Sequence, residues 1–122
     1  MGAPIRSYRD LIVWQKSMLF IDEVDAVVEL LSPYHHGWIG MQLHRAALSV
    51  ASNISEGHTS DYRPVFLRHL SNAKSSLAEA ETQLLVLQRR KYPRMVDPEK
   101  ALAFASEMGL MLRALSTRLR SR

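Results

Sequence analysis

Apolar residues recur at steps of three and four residues along most of the chain, the spacing that places side chains on one face of an α-helix. Residues that interrupt helices divide this pattern into segments, namely Pro33 with Gly37, Gly57, and Pro93 with Asp97 and Pro98. The pattern therefore predicts helices over residues 10–31, 38–56 and 61–91. A last helix is predicted to open with Asp97 as its N-cap and Pro98 at its first position.

The first predicted helix is apolar on more of its circumference than one neighbour can cover. The residues expected to face inward are Leu11, Trp14, Met18, Ile21, Val24, Val28 and Leu31. Further apolar residues widen this stripe, namely Ile12, Val13, Leu19, Phe20, Val27 and Leu30. Because only a narrow polar face remains, we expect this helix to pack against more than one partner.

The third predicted helix has the most regular pattern. Its apolar positions alternate steps of four and three residues: Phe66, Leu70, Ala73, Leu77, Ala80, Leu84 and Leu87. Such a heptad predicts neighbouring helices that cross at a shallow angle. The inward positions of the last helix are expected at Leu102, Ala105, Met108, Leu112, Leu115 and Leu119. Long amphipathic helices with short connections predict an all-α fold, an up-down-up-down four-helix bundle.

The second predicted helix contains the segment LHRAALSVASNISEG, residues 43–57, in which small residues replace most long apolar ones. Its inward line is expected to comprise Ile39, Leu43, Ala46, Val50 and Asn53. The small residues on its several faces are Ala46, Ala47, Ser49, Ala51, Ser52 and Ser55. They allow close approach on more than one side and predict a helix packed between two partners. Gly57 is expected to cap the C-terminus.

Polar residues of the same segment are candidate structural or interface residues. We expect Asn53 to form buried hydrogen bonds that fix the helix register, because an unsatisfied buried amide costs about 1–3 kcal/mol. Arg45 and Glu56 are expected to join a buried or interfacial ion pair, with Glu79 or Glu81 as alternative partners of the arginine. A structural role is the prediction for all of them, and catalysis by Glu56 is not.

The length and composition limit the classes of protein that the chain can represent. The 122 residues fit one domain, residues 1–122, with residues 1–8 as a flexible tail. The chain has no cysteine, which excludes disulfides, thiolate nucleophiles and cysteine-ligated metals. No apolar run has the length of a signal peptide or a membrane span, and we therefore expect a cytoplasmic protein with no membrane association.

The positive charge lies in the second half of the chain. Residues 1–60 hold four Lys and Arg against six Asp and Glu, a balance of −2, whereas residues 61–122 hold twelve against six, a balance of +6. Candidate phosphate-binding residues form two groups, the first Arg89, Arg90, Lys91 and Arg94, and the second Arg113, Arg118 and Arg120. The alternative is a solvated basic surface, because cations also stabilise helix C-termini. Antiparallel packing would place the two groups at opposite ends of the bundle, and Tyr92 beside the first group could stack on a base or pack on the bundle.

The histidines do not form a recognisable metal or catalytic motif. They lie at His35, His36, His44, His58 and His69, and none has the spacing of H-E-x-x-H or of a Glu-x-x-His pair. Neither a nucleophile elbow nor a glycine-rich phosphate loop is present. We therefore expect no catalytic site, no metal and no cofactor.

Three motifs in fixed order carry a family resemblance that extends from Tyr8 to Leu119. They are DLIVWQKSM, LHRAALSVASNISEG and FLRHLSNAKSSLAEAETQL. The chain resembles the small four-helix-bundle proteins encoded in intervening sequences of bacterial large-subunit ribosomal RNA genes, and is similar to the accessory variability proteins of diversity-generating retroelements. The residues that match the family's central motif are Arg45, Ala46, Ala47, Ser49, Ser52, Asn53, Ile54, Glu56 and Gly57. His44 stands where the family has a first arginine.

The resemblance implies a homo-oligomeric ring, a pentamer in relatives, with a basic surface for nucleic acid or a reverse-transcriptase partner, and it does not imply an enzyme. Our leading hypothesis is a non-enzymatic bundle that binds RNA or DNA, as an accessory to a ribonucleoprotein or a reverse transcriptase. The alternative is a structural ring that docks a partner protein without nucleic acid.

Overall fold

The computed structural model describes residues 4–90 and 97–121, and in these ranges it contains helices and no strand. The four long helices of the described ranges are α1 (Ile12–Glu29), α2 (Met41–Thr59), α3 (Arg63–Arg90) and α4 (Glu99–Arg120). A 3₁₀ turn, Tyr8–Asp10, precedes α1. A helical turn, Pro33–His35, and a π-helical turn, His36–Gly40, lead into α2. The all-α prediction is confirmed.

Each helix packs against the helices before and after it, and α4 returns to pack against α1. Lys16 of α1 pairs with Glu107 of α4, whereas Glu23, further along α1, pairs with Lys100, earlier in α4. These two helices are therefore antiparallel. The pair α2 and α3 runs the same way, because Ser49 contacts Ser76 while the later residue Asn53 contacts the earlier His69. The predicted four-helix bundle is confirmed.

The core confirms the predicted face of α3 completely and that of α1 only in part. All seven heptad residues of α3 are buried. The buried residues of α1 are Val13, Ser17, Phe20, Val24, Val27 and Val28. The prediction that Met18 faces inward is wrong, since its side chain is 43% exposed, and Trp14 and Ile21 are only half-buried. Because α1 is apolar on most sides, its own pattern does not reveal which stripe lies between α2 and α4.

The end of α2 differs from the prediction that Gly57 caps it. The helix continues through Gly57 to Thr59, and Asp61 adopts the left-handed conformation with φ 54°. Gly57 is buried against α3, where a Cβ on it would lie 2.7 Å from the Cβ of His69. The small size of this residue thus serves helix packing, and the reversal of the chain occurs four residues later.

The start of α4 lies one residue after the predicted position. The helix begins at Glu99, with Pro98 as the flanking residue rather than the first helical one. The Oδ1 atom of Asp97 still accepts a hydrogen bond from the backbone N–H of Glu99 at 3.0 Å. The prediction of Asp97 as the N-cap is therefore wrong by one residue, since Pro98 occupies that position, although Asp97 still binds the first helical N–H.

The N-terminal segment contacts the bundle before α1 begins. The ring of Tyr8 meets Trp14 edge to face, with centroids 5.2 Å apart. The flexible tail proposed for residues 1–8 stays a prediction, of which residues 1–3 lie outside the described ranges. No helix in the described part of the chain is both long enough and apolar enough to cross a membrane.

Candidate functional site

The predicted phosphate-binding arginines lie at both ends of the bundle. Arg89 and Arg90 are exposed in the last turn of α3. Arg113, Arg118 and Arg120 are exposed on the second half of α4. Because the helices alternate in direction, the two groups lie at opposite ends, as the sequence predicts. Lys91, Tyr92 and Arg94 lie outside the described residues.

None of these five arginines pairs with a carboxylate of the described residues. The Lys–carboxylate pairs there are Lys16 with Glu107 at 3.3 Å and Lys100 with Glu23 at 3.2 Å. The two histidine–carboxylate pairs join His44 to Asp25 and His69 to Glu56. These four described pairs involve none of the five arginines, whose side chains are exposed.

The end that carries Arg90 also carries an aromatic cluster, which sequence reasoning did not single out. The cluster comprises Tyr34, His35 and Trp38, from the two turns that lead into α2. Ring centroids are 5.0 Å apart for Tyr34 and His35, and 6.1 Å apart for His35 and Trp38, both edge to face. The guanidinium carbon of Arg90 lies 6.0 Å from the centroid of the Trp38 ring. Because α2 and α3 are antiparallel, the start of α2 lies near the end of α3. The antiparallel order of the helices, which the sequence predicts, was therefore the signal that could have placed Tyr34 and Trp38 near Arg90.

The opposite end contains a cavity of about 850 Å³ between the N-terminal segment, the end of α2, the start of α3 and the end of α4. Its wall is mainly apolar, with Leu11, Phe66 and Leu115 among the lining residues. Arg118 lines it together with Arg63, a residue that the sequence analysis did not select. The structure thus adds a second basic helix end to the group on α4.

The carboxyl group of Asp10 lies at this cavity and has a lowered pKa. Its Oδ2 atom accepts backbone hydrogen bonds from the N–H groups of Arg6 at 2.8 Å and Ser7 at 3.2 Å. These bonds, that from Arg6 first, favour the ionised form and hold the pKa of Asp10 below its ordinary value of 3.8. A negative charge is thereby retained at the rim of the cavity that Arg118 also lines.

The candidate interface residues of α2 have different surroundings from those predicted. Asn53 is not on the inward line, where Ile54 is buried instead, but is half-buried at the edge towards α3. Its Nδ2 atom donates to the carbonyl oxygen of Ser49 at 2.9 Å, and its Oδ1 atom lies 2.9 Å from Nδ1 of His69. The contact with His69 links α2 to α3, whereas the bond to Ser49 lies within α2, and the role of Asn53 in fixing the register stays a prediction.

Arg45 and Glu56 do not form the predicted buried ion pair within the chain. Both side chains are exposed, and Arg45 contacts no carboxylate of the described residues. Glu56 approaches Nδ1 of His69 at 3.8 Å instead. An interfacial pair for Arg45 stays a prediction, because outward-facing side chains of α2 remain accessible to another chain.

The histidines are dispersed over the bundle. His44, at the position of the family arginine, has its Nδ1 atom 2.6 Å from Oδ1 of Asp25 and connects α2 to α1. Among the described residues, no three His, Asp or Glu side chains are grouped in a way that could hold a metal ion.

The fold and the site together define a small antiparallel four-helix-bundle protein with unpaired arginines at both ends. The family model of the 23S rRNA-intervening sequence protein matches residues 9–114, and the chain belongs to this family. None of the curated proteins compared with the chain matches it. The family named in the sequence analysis is confirmed, and the similarity to accessory variability proteins stays a prediction.

Proposed function

We propose that the protein is a cytoplasmic, non-enzymatic oligomer that binds RNA or DNA through its exposed arginines. The observation that carries this proposal is the availability of Arg89, Arg90, Arg113, Arg118 and Arg120, none of which is paired with a carboxylate of the described residues. A guanidinium without an internal partner can donate two parallel hydrogen bonds to a phosphate. The protein would act as an accessory to a ribonucleoprotein or a reverse transcriptase.

Self-association would strengthen such binding, and two exposed apolar patches support it. The first, here called patch A, comprises Met18 of α1 with Met41 and Leu48 of α2. The second, patch B, comprises Ile12 and Leu19 of α1 with Leu110 of α4. A ring requires two different complementary surfaces on each subunit, and we propose that these patches meet in a homo-oligomer, a pentamer by analogy with relatives. A ring would repeat each arginine group and raise the local positive potential.

The exposed apolar side chains also favour the second candidate function, a ring that docks a partner protein. Leu48 and Leu110 are 48% and 65% exposed, and apolar surface of this kind is typical of protein interfaces. This function predicts that a tagged protein recovers the same partner from its native cell extract before and after nuclease treatment. Loss of the partner on nuclease treatment would instead indicate a shared nucleic acid.

Binding across a salt series tests the nucleic-acid proposal. Fluorescence anisotropy with a structured RNA and a DNA duplex measures the affinity from low to physiological salt. Because phosphate contacts release counterions, we expect log K to fall linearly with the logarithm of the salt concentration. For duplex DNA the slope should be about −0.9 for each phosphate contact. No binding at low salt would contradict the proposal.

Charge-reversal variants locate the contacts. We expect two double variants, Arg89→Glu with Arg90→Glu and Arg118→Glu with Arg120→Glu, to reduce the affinity. In each, the slope of log K against log salt should become less steep by the equivalent of about one to two phosphate contacts. The matched control is Arg68→Glu with Lys74→Glu, which changes the net charge equally on α3, before its last turn and outside the cavity. Equal losses in all three variants would indicate a general charge effect without a defined site.

A further inference from the structure

We propose that the aromatic cluster of Tyr34, His35 and Trp38, together with Arg90, is a stacking site for unpaired bases of a single-stranded nucleic acid. This inference rests on the proposed function and specifies its ligand at one end of the bundle. Aromatic rings and arginine planes receive unstacked bases in proteins that bind single strands, whereas the bases of a duplex are already stacked on each other.

Two rings of this cluster, those of Tyr34 and Trp38, are exposed to solvent. Tyr34 is 73% exposed and Trp38 is 46% exposed, although both carry large apolar rings. Tyr34 and Trp38 also make no side-chain hydrogen bond within the described residues, so the phenol O–H and the indole N–H are available to a ligand. In the same π-helical turn as Trp38, Ile39 and Gly40 are buried. The exposed rings of Tyr34 and Trp38 are therefore next to buried residues in the chain but are not part of the hydrophobic core.

The arrangement of the rings leaves surface on which a base can stack. Tyr34 with His35 and His35 with Trp38 meet edge to face, at interplanar angles of 87° and 78°. An edge-to-face contact covers at most one face of one ring of the pair, unlike parallel stacking, which covers a face of both. Tyr34 is the most open ring and is the first expected platform.

Charge at this position favours a polyanion. Arg90 contacts the Trp38 ring, and residues 89–94 contain four basic residues and no acidic one. Acidic residues at the same end are Glu29, the last residue of α1, and Asp97 and Glu99 at the start of α4, and none of these described carboxylates pairs with Arg89 or Arg90. Phosphates beside stacked bases would therefore meet Arg89 and Arg90.

The two tryptophans of the chain provide a direct assay. Trp14 is half-buried beside Tyr8, so a Trp14→Phe variant leaves Trp38 as the single fluorescent indole. This variant is titrated with single-stranded RNA of about 12 nucleotides, with DNA of the same sequence, and with the corresponding duplex. We expect quenching of Trp38 by the single strands, tighter binding of single strands than of the duplex, and a difference between RNA and DNA if the ribose is read.

Substitutions then measure the contribution of stacking. Since base stacking on an aromatic ring contributes about 1–3 kcal/mol, Trp38→Leu and Tyr34→Leu should each weaken single-strand binding by about 5-fold to about 150-fold, with little change for the duplex. The matched control is Tyr62→Leu, which removes a 62% exposed tyrosine at the opposite end and should leave single-strand affinity unchanged. Helix content and oligomer mass are measured for every variant.

The outcomes separate this inference from the proposed function. Binding by the wild type that is unchanged in Trp38→Leu and Tyr34→Leu would overturn the stacking site but keep the nucleic-acid function. No binding of any nucleic acid at low salt would overturn both. A lower oligomer mass in Trp38→Leu with unchanged affinity would show that the cluster is an interface between protein chains, which also overturns the inference.

Discussion

Short-range hydrogen bonds determine the turn that precedes α1. Ser7 accepts a bond at Oγ from the N–H of Arg9, while the carboxylate of Asp10 accepts from the N–H groups of Arg6 and Ser7. This reciprocal arrangement is a capping box, and its Ser-x-x-Asp spacing differs from the common form only in having Asp in place of Glu. A single carboxylate thus organises the chain next to the cavity.

The turn is expected to loosen in acid. Because the folded-state pKa of Asp10 is lowered, its contribution to stability is present above the ordinary pKa and is lost as the pH falls through the lowered one. An NMR titration of the Asp10 carboxyl carbon should give a midpoint below 3.8, and the amide shifts of Arg6 and Ser7 should follow it. In Asp10→Asn those amide shifts should lose this titration. A midpoint at or above 3.8 would contradict the hydrogen bonds.

At the scale of the helices, the small residues of α2 explain its close contact with α3. The hydroxyl oxygens of Ser49 and Ser76 are 2.9 Å apart, which requires the two backbones to be near each other. Ala47 and Ala51 are buried on another side of α2, which packs against both α1 and α3. The two partners predicted for this helix are thus present within one chain, and its outward face, with Leu48, remains open.

Gly57→Ala tests this close contact. The added Cβ would lie 2.7 Å from the Cβ of His69, and overpacking of this kind costs about 1–3 kcal/mol, against a gain of about 0.5–1 kcal/mol from helix propensity. We expect the free energy of unfolding to fall, as measured by urea denaturation at fixed protein concentration. Gly109→Ala is the control, because among the described residues only Leu77 approaches that position, at 4.0 Å, and the change should increase stability by about 0.5–1 kcal/mol. Equal stabilisation by both changes would refute the packing role of Gly57.

At the scale of the whole molecule, the bundle leaves patches A and B on different sides. Met18 lies seven residues before Asp25, about two helical turns, and is therefore on the same face of α1. The carboxylate of Asp25 contacts His44 of α2, so this face and patch A lie beside α2. Ile12 and Leu19 flank Lys16, which pairs with Glu107, and this places patch B beside α4. Two different patches fit a head-to-tail interface, which closes into a ring when the rotation allows it.

Mixing two blocked variants tests this assembly. Light scattering of the wild type should give a multiple of the 13.9 kDa chain mass, and the proposed pentamer predicts a five-fold mass. Leu48→Lys blocks patch A and Leu19→Lys blocks patch B, and each alone should be monomeric because a buried lysine would lack a partner. An equimolar mixture should form dimers through the one intact pair of patches. A monomeric wild type, or a mixture that stays monomeric, would contradict the head-to-tail interface.

The accuracy of the sequence-based prediction differs between helices for a physical reason. In α3 the apolar residues form one narrow stripe, so the pattern has a single solution, and its seven core positions were all predicted. In α1 apolar residues occupy most of the circumference, and several stripes would satisfy the same pattern. Met18 was therefore assigned inward although it is exposed, while Ser17 was not selected although it is buried, with its hydroxyl donating to the carbonyl oxygen of Trp14.

The sequence by itself determined the helical class, the heptad face of α3, the family, and the placement of two arginine groups at opposite ends, because local periodicity and chain reversal are encoded within short segments. Only the tertiary structure decided what surrounds Gly57 and Asn53, which side of α1 is buried, and that Tyr34 and Trp38 lie beside Arg90. These features depend on the rotation and separation of neighbouring helices. That geometry results from the packing of all four helices together, and no single segment contains it.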